Sequence, residues 1–222
     1  MRSDSRSARA DNRKSRNDDR NARGSKAGEN ILTEEQYDEI YSRGMSAEDL
    51  LDADVVDAEG DIMGEVEDLI VGPDDNRLIG MVVETGGFLE IGDSHLLYPF
   101  DKAQIMSSEK VQVPNLDGEQ VEELSLYQEI EGKDLGSRWR VTELIGSFAY
   151  AGGEPYGRIE DVVVDKSGDI MAVVVEPDVM YEDYDAYYAW PYAGYYYDPV
   201  AGIYDWPIGH DHVFGLEPFE PL

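Results

Sequence analysis

The sequence predicts an all-β protein made of two tandem small antiparallel β-barrels, with short flanking helices and a disordered N-terminal arm. Two observations predict this fold class. From Asp54 onward, apolar residues occur in short runs separated by Gly, Asp and Asn, which is typical of the closely spaced strands and turns of a small barrel. A pattern of residues in the first half of the 222-residue chain also recurs in the second half. Such a recurrence indicates two copies of one small domain.

The N-terminal arm, residues 1–30, is basic and lacks the residues that build a core. Residues 1–26 contain nine Lys or Arg against four Asp, which gives them a net charge of +5. The whole chain has a net charge of −31, so the remaining residues carry −36. No aromatic or large aliphatic residue follows Met1 in this stretch, and we therefore expect disorder. An Arg-rich arm is compatible with contact to nucleic acid or a membrane surface, but loose pairing with the chain's own acidic body is favoured. That body should repel nucleic acid.

Two helix starts follow the arm, and both carry capping residues. Thr33-Glu34-Glu35-Gln36 has the form of a capping box, which predicts a short helix over 33–43, ended by Gly44, within the segment 31–45. Ser46 precedes Ala47-Glu48-Asp49 and predicts a second, shorter helix at the start of the first barrel.

An internal repeat sets the remaining domain boundaries: copy 1 at 46–108, a linker with a short helix at 109–137, and copy 2 at 138–222. Most of the repeated residues lie 93 positions apart, and a later apolar run is offset by 92. The two glycines of each copy bracket a tight turn that requires positive φ or close backbone approach. The repeated aspartates are interpreted as caps of backbone N–H groups. The matched residues are Leu51, Gly60, Gly64, Val66, Asp68 and Leu69 with Leu144, Gly153, Gly157, Ile159, Asp161 and Val162.

These residues resemble a known family. The pattern that runs from Asp57 through Gly60, Gly64 and Asp68 to Val71, followed by Gly86-Gly87-Phe88-Leu89-Glu90-Ile91-Gly92 and Leu97-Tyr98-Pro99, is similar to the PRC-barrel domain, the barrel of the photosynthetic reaction-centre H subunit. The resemblance covers nearly all of copy 1 and the first part of copy 2. It implies a six-stranded β-barrel used for protein contacts, without catalytic residues of its own.

The stretch 181–206 is the most distinctive part of the sequence. It contains nine of the fifteen tyrosines and two of the three tryptophans. If Pro207 matches Pro99, the second copy carries 16 additional residues here, and we interpret 181–206 as a Tyr-rich insertion. Long loops inside compact domains are usually functional or disordered. The predicted partner-binding residues are Tyr184, Tyr187, Tyr188, Trp190, Tyr192, Tyr195, Tyr196, Tyr197 and Trp206.

The composition of this stretch favours some partners over others. Proteins that stack on nucleic acid interleave aromatic residues with Lys or Arg, and no Lys or Arg follows Lys166. Tyr and Trp at this density are typical of a surface that contacts protein or glycan, because they bury a large area with little loss of rotamer freedom. A self-packed aromatic lid over the second barrel is an alternative, and the two interpretations are not exclusive.

Residues that could carry chemistry are few. The chain has no cysteine, and it contains no Gly-x-Ser-x-Gly, His-Glu-x-x-His or P-loop motif. His210 and His212 would share a face only on a strand, so a solvated loop is favoured over a metal site, and His95 is interpreted as structural. Four carboxylates could gather Ca²⁺, but their spacing fits no EF-hand loop. They are Asp178, Glu182, Asp183 and Asp185. We therefore expect no metal, no cofactor and no enzymatic activity.

The sequence thus predicts a non-enzymatic structural or adaptor protein, of bacterial type, that uses its barrels and the Tyr/Trp-rich loop to bind a protein partner or to self-associate. The alternative is a protein that binds a small ligand, glycan or calcium, or an enzyme, with its site under the Tyr-rich loop. No apolar run reaches the ~18 residues of a membrane span. As written the chain would be cytoplasmic, or periplasmic if Met1 replaces a removed signal peptide.

Overall fold

The structure, a computed structural model, confirms the all-β class. It describes residues 31–72, 76–85, 94–113, 138–179, 186–213 and 216–222, and the strands among them form two seven-stranded sheets. We call residues 31–113 the first half and residues 138–222 the second half. The predicted basic arm, and residues 114–137 with the predicted linker helix, lie outside the described residues.

The first half begins with the predicted capping box, because the Thr33 side chain accepts from the backbone N–H of Gln36 while the Gln36 side chain accepts from the backbone N–H of Thr33. Gly44 ends this helix and donates to the carbonyl of Ile40. The elements in chain order are α1 (Glu34–Arg43), β1 (Met45–Ser46), α2 (Ala47–Leu50), β2 (Asp54–Val56), β3 (Ile62–Val71), β4 (Leu78–Thr85), β5 (Ser94–Pro99), a 3-10 helix (Phe100–Lys102), β6 (Gln104–Ser107) and β7 (Lys110–Gln112).

The second half follows the same order of elements. It contains β8 (Trp139–Arg140), α3 (Val141–Leu144), β9 (Phe148–Ala151), β10 (Glu154–Val164), β11 (Ile170–Pro177), β12 (Tyr188–Trp190), a 3-10 helix (Gly194–Tyr196), β13 (Tyr197–Asp198), β14 (Ile203–Trp206) and α4 (His210–Val213).

The two sheets have the same strand order. The first is β5-β4-β3-β2-β7-β6 and the second is β12-β11-β10-β9-β14-β13. Each contains one parallel pair, β2 with β7 and β9 with β14, among otherwise antiparallel neighbours. Within the described ranges no pairing joins the two end strands of either sheet. The expectation of two small antiparallel β-barrels is therefore confirmed in its all-β class and corrected in one respect, because each sheet contains one parallel pair.

The two halves exchange their first strand and helix. β1 pairs with β10 of the second sheet, where Met45 faces Val164, and β8 pairs with β3 of the first sheet, where Trp139 faces Val71. The helix that follows each strand packs on the same foreign sheet: α2 on β10 and α3 on β3. Each half is therefore completed by a segment of the other.

Asp68 and Asp161 cap these exchanged segments. The buried carboxylate of Asp68 accepts from the hydroxyl and the backbone N–H of Thr142, at 2.6 and 3.3 Å, and from its neighbour Leu69 at 2.8 Å. The carboxylate of Asp161 accepts from the backbone N–H of Glu48 at 3.1 Å. The prediction that these aspartates cap backbone groups is confirmed, and the helices they cap belong to the opposite half.

The repeated glycines have the two roles that the sequence predicted. Gly60 and Gly153 have φ of +91° and +86°, a conformation that a side chain disfavours. Gly64 and Gly157 lie so close to β4 and β11 that a Cβ atom would overlap the carbonyl oxygen of Glu84 or Glu176. The first glycine of each copy permits the turn and the second permits close strand contact.

Strand pairing defines which residues of the two halves are equivalent, and it corrects the sequence alignment in two places. Leu50 is the last residue of α2 and Leu144 is the last residue of α3, so Leu144 is equivalent to Leu50 and not to Leu51. The difference arises because the segment before Gly60 is one residue longer than the segment before Gly153. Leu96 faces Val83 on β4 as Tyr188 faces Val175 on β11. Pro99 is therefore equivalent to Pro191, not to Pro207.

The second correction removes the predicted insertion at 181–206. Glu84 lies 15 residues before Pro99, and Glu176 lies 15 residues before Pro191, so the two connections have equal length. The Tyr-rich stretch instead supplies β12, a 3-10 helix, β13 and β14, which are regular elements of the second sheet. The first domain also extends beyond residue 108, since β7 pairs with β2, and the linker begins after it.

The second core obtains its volume from aromatic residues. Where the first half buries Leu96, Tyr98, Val111 and Val113, the equivalent positions of the second half bury Tyr188, Trp190, Tyr204 and Trp206. Smaller residues on neighbouring strands compensate, because Ala149 replaces Val55, Val162 replaces Leu69 and Val173 replaces Met81. Close packing is thus kept with a different distribution of volume.

Candidate functional site

The structure places most of the predicted partner-binding residues in the protein interior. Five of the nine are between 0 and 8% exposed, so they offer almost no surface to a partner, and their assignment to a contact surface is corrected. They are Tyr188, Trp190, Tyr192, Tyr197 and Trp206. Tyr184 lies outside the described residues.

Ring contacts and hydrogen bonds explain this burial. The rings of Trp190 and Trp206 are 4.8 Å apart, centroid to centroid, and form the centre of the second core. The Trp139 indole N–H donates to the Tyr192 hydroxyl at 3.1 Å. This bond connects β8, which pairs with the first sheet, to the rest of the second half. The Tyr197 hydroxyl donates to the carbonyl of Glu143 at 2.7 Å. These aromatic residues form the core and the joint between the halves.

Burial disfavours the ionised form of the tyrosine hydroxyls in this core. Burial raises the pKa of Tyr192 well above its usual range, although the indole of Trp139 donates to its hydroxyl. Burial likewise raises the pKa of Tyr204, whose hydroxyl donates to the carbonyl of Pro191 at 2.6 Å. Both phenols therefore stay neutral at physiological pH, and they serve as structural hydrogen-bonding groups rather than as acids or bases.

Three of the predicted residues keep exposed surface. Tyr195 is 68% exposed, and its ring contacts that of Tyr196 at a centroid distance of 4.3 Å. Tyr196 and Tyr187 are half-buried, and the Tyr187 carbonyl accepts from the backbone N–H of Phe219. Of the nine predicted residues, these three are the ones for which the described part of the chain shows exposed surface.

A different apolar surface lies at the start of β9. Phe148 is 47% exposed and Val179 is 78% exposed, and both line a cleft of about 260 Å³. The guanidinium of Arg158 lies 4.2 Å from the centre of the Phe148 ring and donates to the carbonyl of Gly146 at 2.9 Å. The other lining residues are Gly157, Glu176, Pro177 and Asp178.

The exposed apolar surface continues beyond the cleft. Ile203 pairs with Phe148 on the neighbouring strand, so their side chains lie on the same, outer face of the sheet. Gly202 accepts from the backbone N–H of Phe148 at 2.9 Å, and the same turn carries Val200, which is 97% exposed. We call the residues Phe148, Val179, Val200 and Ile203 the outer apolar surface.

The equivalent row of the first half is charged. Asp54 occupies the position of Phe148, Lys110 that of Ile203, and Glu65 that of Arg158. The sheet geometry is shared, so it does not require apolar side chains at these positions. The apolar character is specific to the second half, and large exposed apolar patches are typical of interaction sites. Sequence comparison missed this contrast, because it becomes visible only when the strand register is known.

Carboxylates surround one side of the cleft. Glu160 and Glu176 are joined by a hydrogen bond between their side chains, and burial together with the neighbouring charge of Glu176 raises the pKa of Glu160. Among the described residues, no ion pair connects Arg158 with Glu176 or Asp178, because the guanidinium lies over the Phe148 ring. The cleft therefore combines an apolar floor with carboxylates that no salt bridge within 4 Å joins to Arg158, although the charge of Arg158 acts to lower the pKa of Glu160.

The residues considered for metal binding do not converge in the described part of the chain, where no group of three or more His, Cys, Asp or Glu side chains is suitably placed for a metal ion. The His95 imidazole lies 3.3 Å from a carboxylate oxygen of Glu67, and His212 is exposed at the end of α4. Glu182, Asp183 and Asp185 lie outside the described residues. Of the helices that the structure describes, none has the length and apolar character needed to cross a membrane.

Comparison with known proteins identifies the family of the first half. Residues 43–120 match the model of the PRC-barrel domain. This range covers β1 to β7 and extends past the predicted end of copy 1 at residue 108. No curated protein matches the chain.

Proposed function

Since residues 43–120 form a PRC-barrel domain, a module often used for protein interaction, we propose that this protein is a non-enzymatic adaptor that binds another protein through the outer apolar surface of its second half. The observation that carries the proposal is the contrast between equivalent rows. Phe148 and Ile203 stand where the first half has Asp54 and Lys110. We also infer that the second half is a second unit of the same kind, because its strand order and parallel pair are those of the first.

Two features support a binding role over catalysis. The side chains that line the cleft supply one guanidinium and two carboxylates but no hydroxyl, thiol or imidazole, so they form no nucleophile–base pair of the Ser–His or Cys–His kind. The cleft is also smaller than the ~300–1,000 Å³ typical of small-molecule sites. A shallow apolar surface flanked by charges instead has the anatomy of a protein interface.

A photo-crosslinking experiment in cells of the source organism tests the proposal. A photoreactive residue at Val200, which is 97% exposed and lies two residues before Gly202, the acceptor of the Phe148 backbone N–H, should form a protein adduct. The double change Phe148→Asp and Ile203→Lys introduces the residue types of the first half and should abolish this adduct without unfolding the sheet. The same photoreactive residue at Met106, 50% exposed on β6, is the control position.

The outcomes separate the alternatives. An adduct of twice 24.9 kDa would assign the surface to self-association, whereas any other mass would indicate a different protein. An adduct that persists unchanged in the double variant would contradict the proposed surface.

A further inference from the structure

We propose that the cleft beside Phe148 binds a basic segment of the partner protein, with one apolar side chain of that segment on the cleft floor and a Lys or Arg at the carboxylates of Glu176 and Asp178. This inference rests on the proposed function and adds the chemistry of the partner. It is carried by the shape of the cleft, by its charges and by the charge of the whole chain.

The cleft has the dimensions of a side-chain site. Its volume of about 260 Å³ is too small for a typical ligand but accommodates one or two apolar side chains. Phe148, Pro177 and Val179 provide apolar walls, and the exposure of Phe148 and Val179 leaves apolar area that an incoming side chain would bury. Burial of such an anchor is the usual main source of binding energy at an interface.

The charges at the cleft favour a cation. Glu176 and Asp178 line it, and Glu160 hydrogen-bonds to Glu176, so three carboxylates lie on one side. Arg158 is held over Phe148 and by the carbonyl of Gly146, and no Lys or Arg follows Lys166 in the sequence. A Lys or Arg from a partner would form charge-assisted hydrogen bonds with these carboxylates and would favour their ionised state.

The overall charge disfavours the other occupants. A second copy of the chain carries −31 and would be repelled, and nucleic acid and anionic lipid are excluded for the same reason. In the chain's own basic segment, residues 1–26, no aromatic or large aliphatic side chain follows Met1, so the segment offers little to fill the cleft. A basic segment with one apolar side chain is therefore the occupant that complements both the apolar side and the acidic side of the cleft.

Peptide titration of the full-length protein provides the test. Three ten-residue probes are compared at ~0.15 M salt: alternating Leu and Lys, alternating Ser and Lys, and alternating Leu and Glu. We expect the Leu–Lys peptide to bind about tenfold more tightly than the Ser–Lys peptide, the value of one buried anchor, and the Leu–Glu peptide not to bind. Fluorescence anisotropy of labelled peptides gives the dissociation constants.

Phe148→Asp distinguishes docking from general attraction to an acidic protein. The change adds a negative charge, so non-specific attraction would strengthen or stay constant, whereas docking on the ring should weaken about tenfold. Val179→Ser changes no charge, and its position is 78% exposed, so the fold is not at risk; it should weaken the Leu–Lys peptide several-fold. Glu176→Gln with Asp178→Asn should also weaken it, and Asp54→Asn at the equivalent row is the control that should not.

Two results would overturn the inference. One is a Leu–Lys affinity that Phe148→Asp and Val179→Ser leave unchanged; the other is equal binding of the Leu–Lys and Leu–Glu peptides. If the peptides fail while the cellular adduct at Val200 still depends on Phe148 and Ile203, only the partner chemistry is wrong. If the adduct is also independent of these residues, the proposed function fails with it.

Discussion

Asp68 is the residue through which the coupling of the two halves can be measured. It belongs to the first half, but its buried carboxylate holds Thr142, at the start of the helix that the second half contributes. Asp68→Ala removes this cap, worth about 1 kcal/mol, and leaves the backbone N–H of Leu69 without its side-chain acceptor, a loss of about 1–3 kcal/mol.

Part of this cost is offset. Burial raises the pKa of Asp68 in spite of the hydrogen bonds that it accepts, so the charged carboxylate already bears a desolvation penalty that the substitution removes. We therefore expect a net loss of about 1–3 kcal/mol. For a chain of this size that loss corresponds to a decrease in Tm of roughly 4–8 °C at 2 kcal/mol.

Tryptophan fluorescence makes the test specific, because it reports on the second half. Trp190 and Trp206 lie in the second core, and Trp139 hydrogen-bonds to Tyr192. If the exchanged segments make the halves one cooperative unit, Asp68→Ala shifts the fluorescence-detected urea midpoint as much as the midpoint from far-UV circular dichroism. A double-mutant cycle with Thr142→Val should give a coupling energy of about 0.5–3 kcal/mol.

The reasoning would be refuted by an unchanged fluorescence midpoint together with a separate, earlier transition in circular dichroism. That result would show that the first half unfolds alone and that the contact between Asp68 and Thr142 does not transmit stability to the second half.

Three further expectations concern single positions, each followed by urea denaturation. Gly157→Ala should reduce the free energy of unfolding by about 3 kcal/mol, because its Cβ would overlap the Glu176 carbonyl. Gly153→Ala, at φ +86° in open space, should reduce it by about 1–2 kcal/mol. Equal losses would contradict the distinction between close strand contact at Gly157 and a positive-φ turn at Gly153. Trp206→Val, which introduces the residue type of the first half, should cost about 3 kcal/mol or more, since the surrounding small residues cannot fill the cavity. Burial raises the pKa of Asp161, so the folded state binds more protons than the unfolded state, and stability falls as pH rises above about 4, the ordinary pKa of an aspartate. Asp161→Asn should reduce that fall, and an identical pH profile would contradict it.

Local sequence patterns predicted the parts of the fold that depend on backbone chemistry. The capping box at Thr33, the short helix after Ser46 and the two glycine roles each follow from a few adjacent residues, and all are present in the structure. The short helix Val141–Leu144 was not predicted. The exchange of segments between halves was not predictable in this way. It depends on which β-strand each short segment pairs with, and the repeat is compatible with pairing inside its own copy.

The Tyr-rich stretch was misassigned for a physical reason. Pro207 was matched to Pro99, although Pro191 also follows an aromatic residue, and this match created an apparent insertion. Aromatic residues are characteristic both of interfaces and of interiors, so composition alone does not distinguish the two. Burial of Tyr188 and Trp190 became apparent only when their pairing with Val175 and Val173 placed them at core positions.

The outer apolar surface illustrates what duplication allows. Because β2–β7 and β9–β14 have the same geometry, an outer position on one sheet can change without altering the core beneath it. The first half keeps charges at Asp54 and Lys110, which suit a solvated face, and the second half has Phe148 and Ile203 at the same places. Exposed apolar residues lower solubility without stabilising a sheet that stays folded with charges at the same row. The apolar side chains at this row of the second half therefore support the proposed contact with a partner, and the exchanged segments join that half to the charged one through strand pairing.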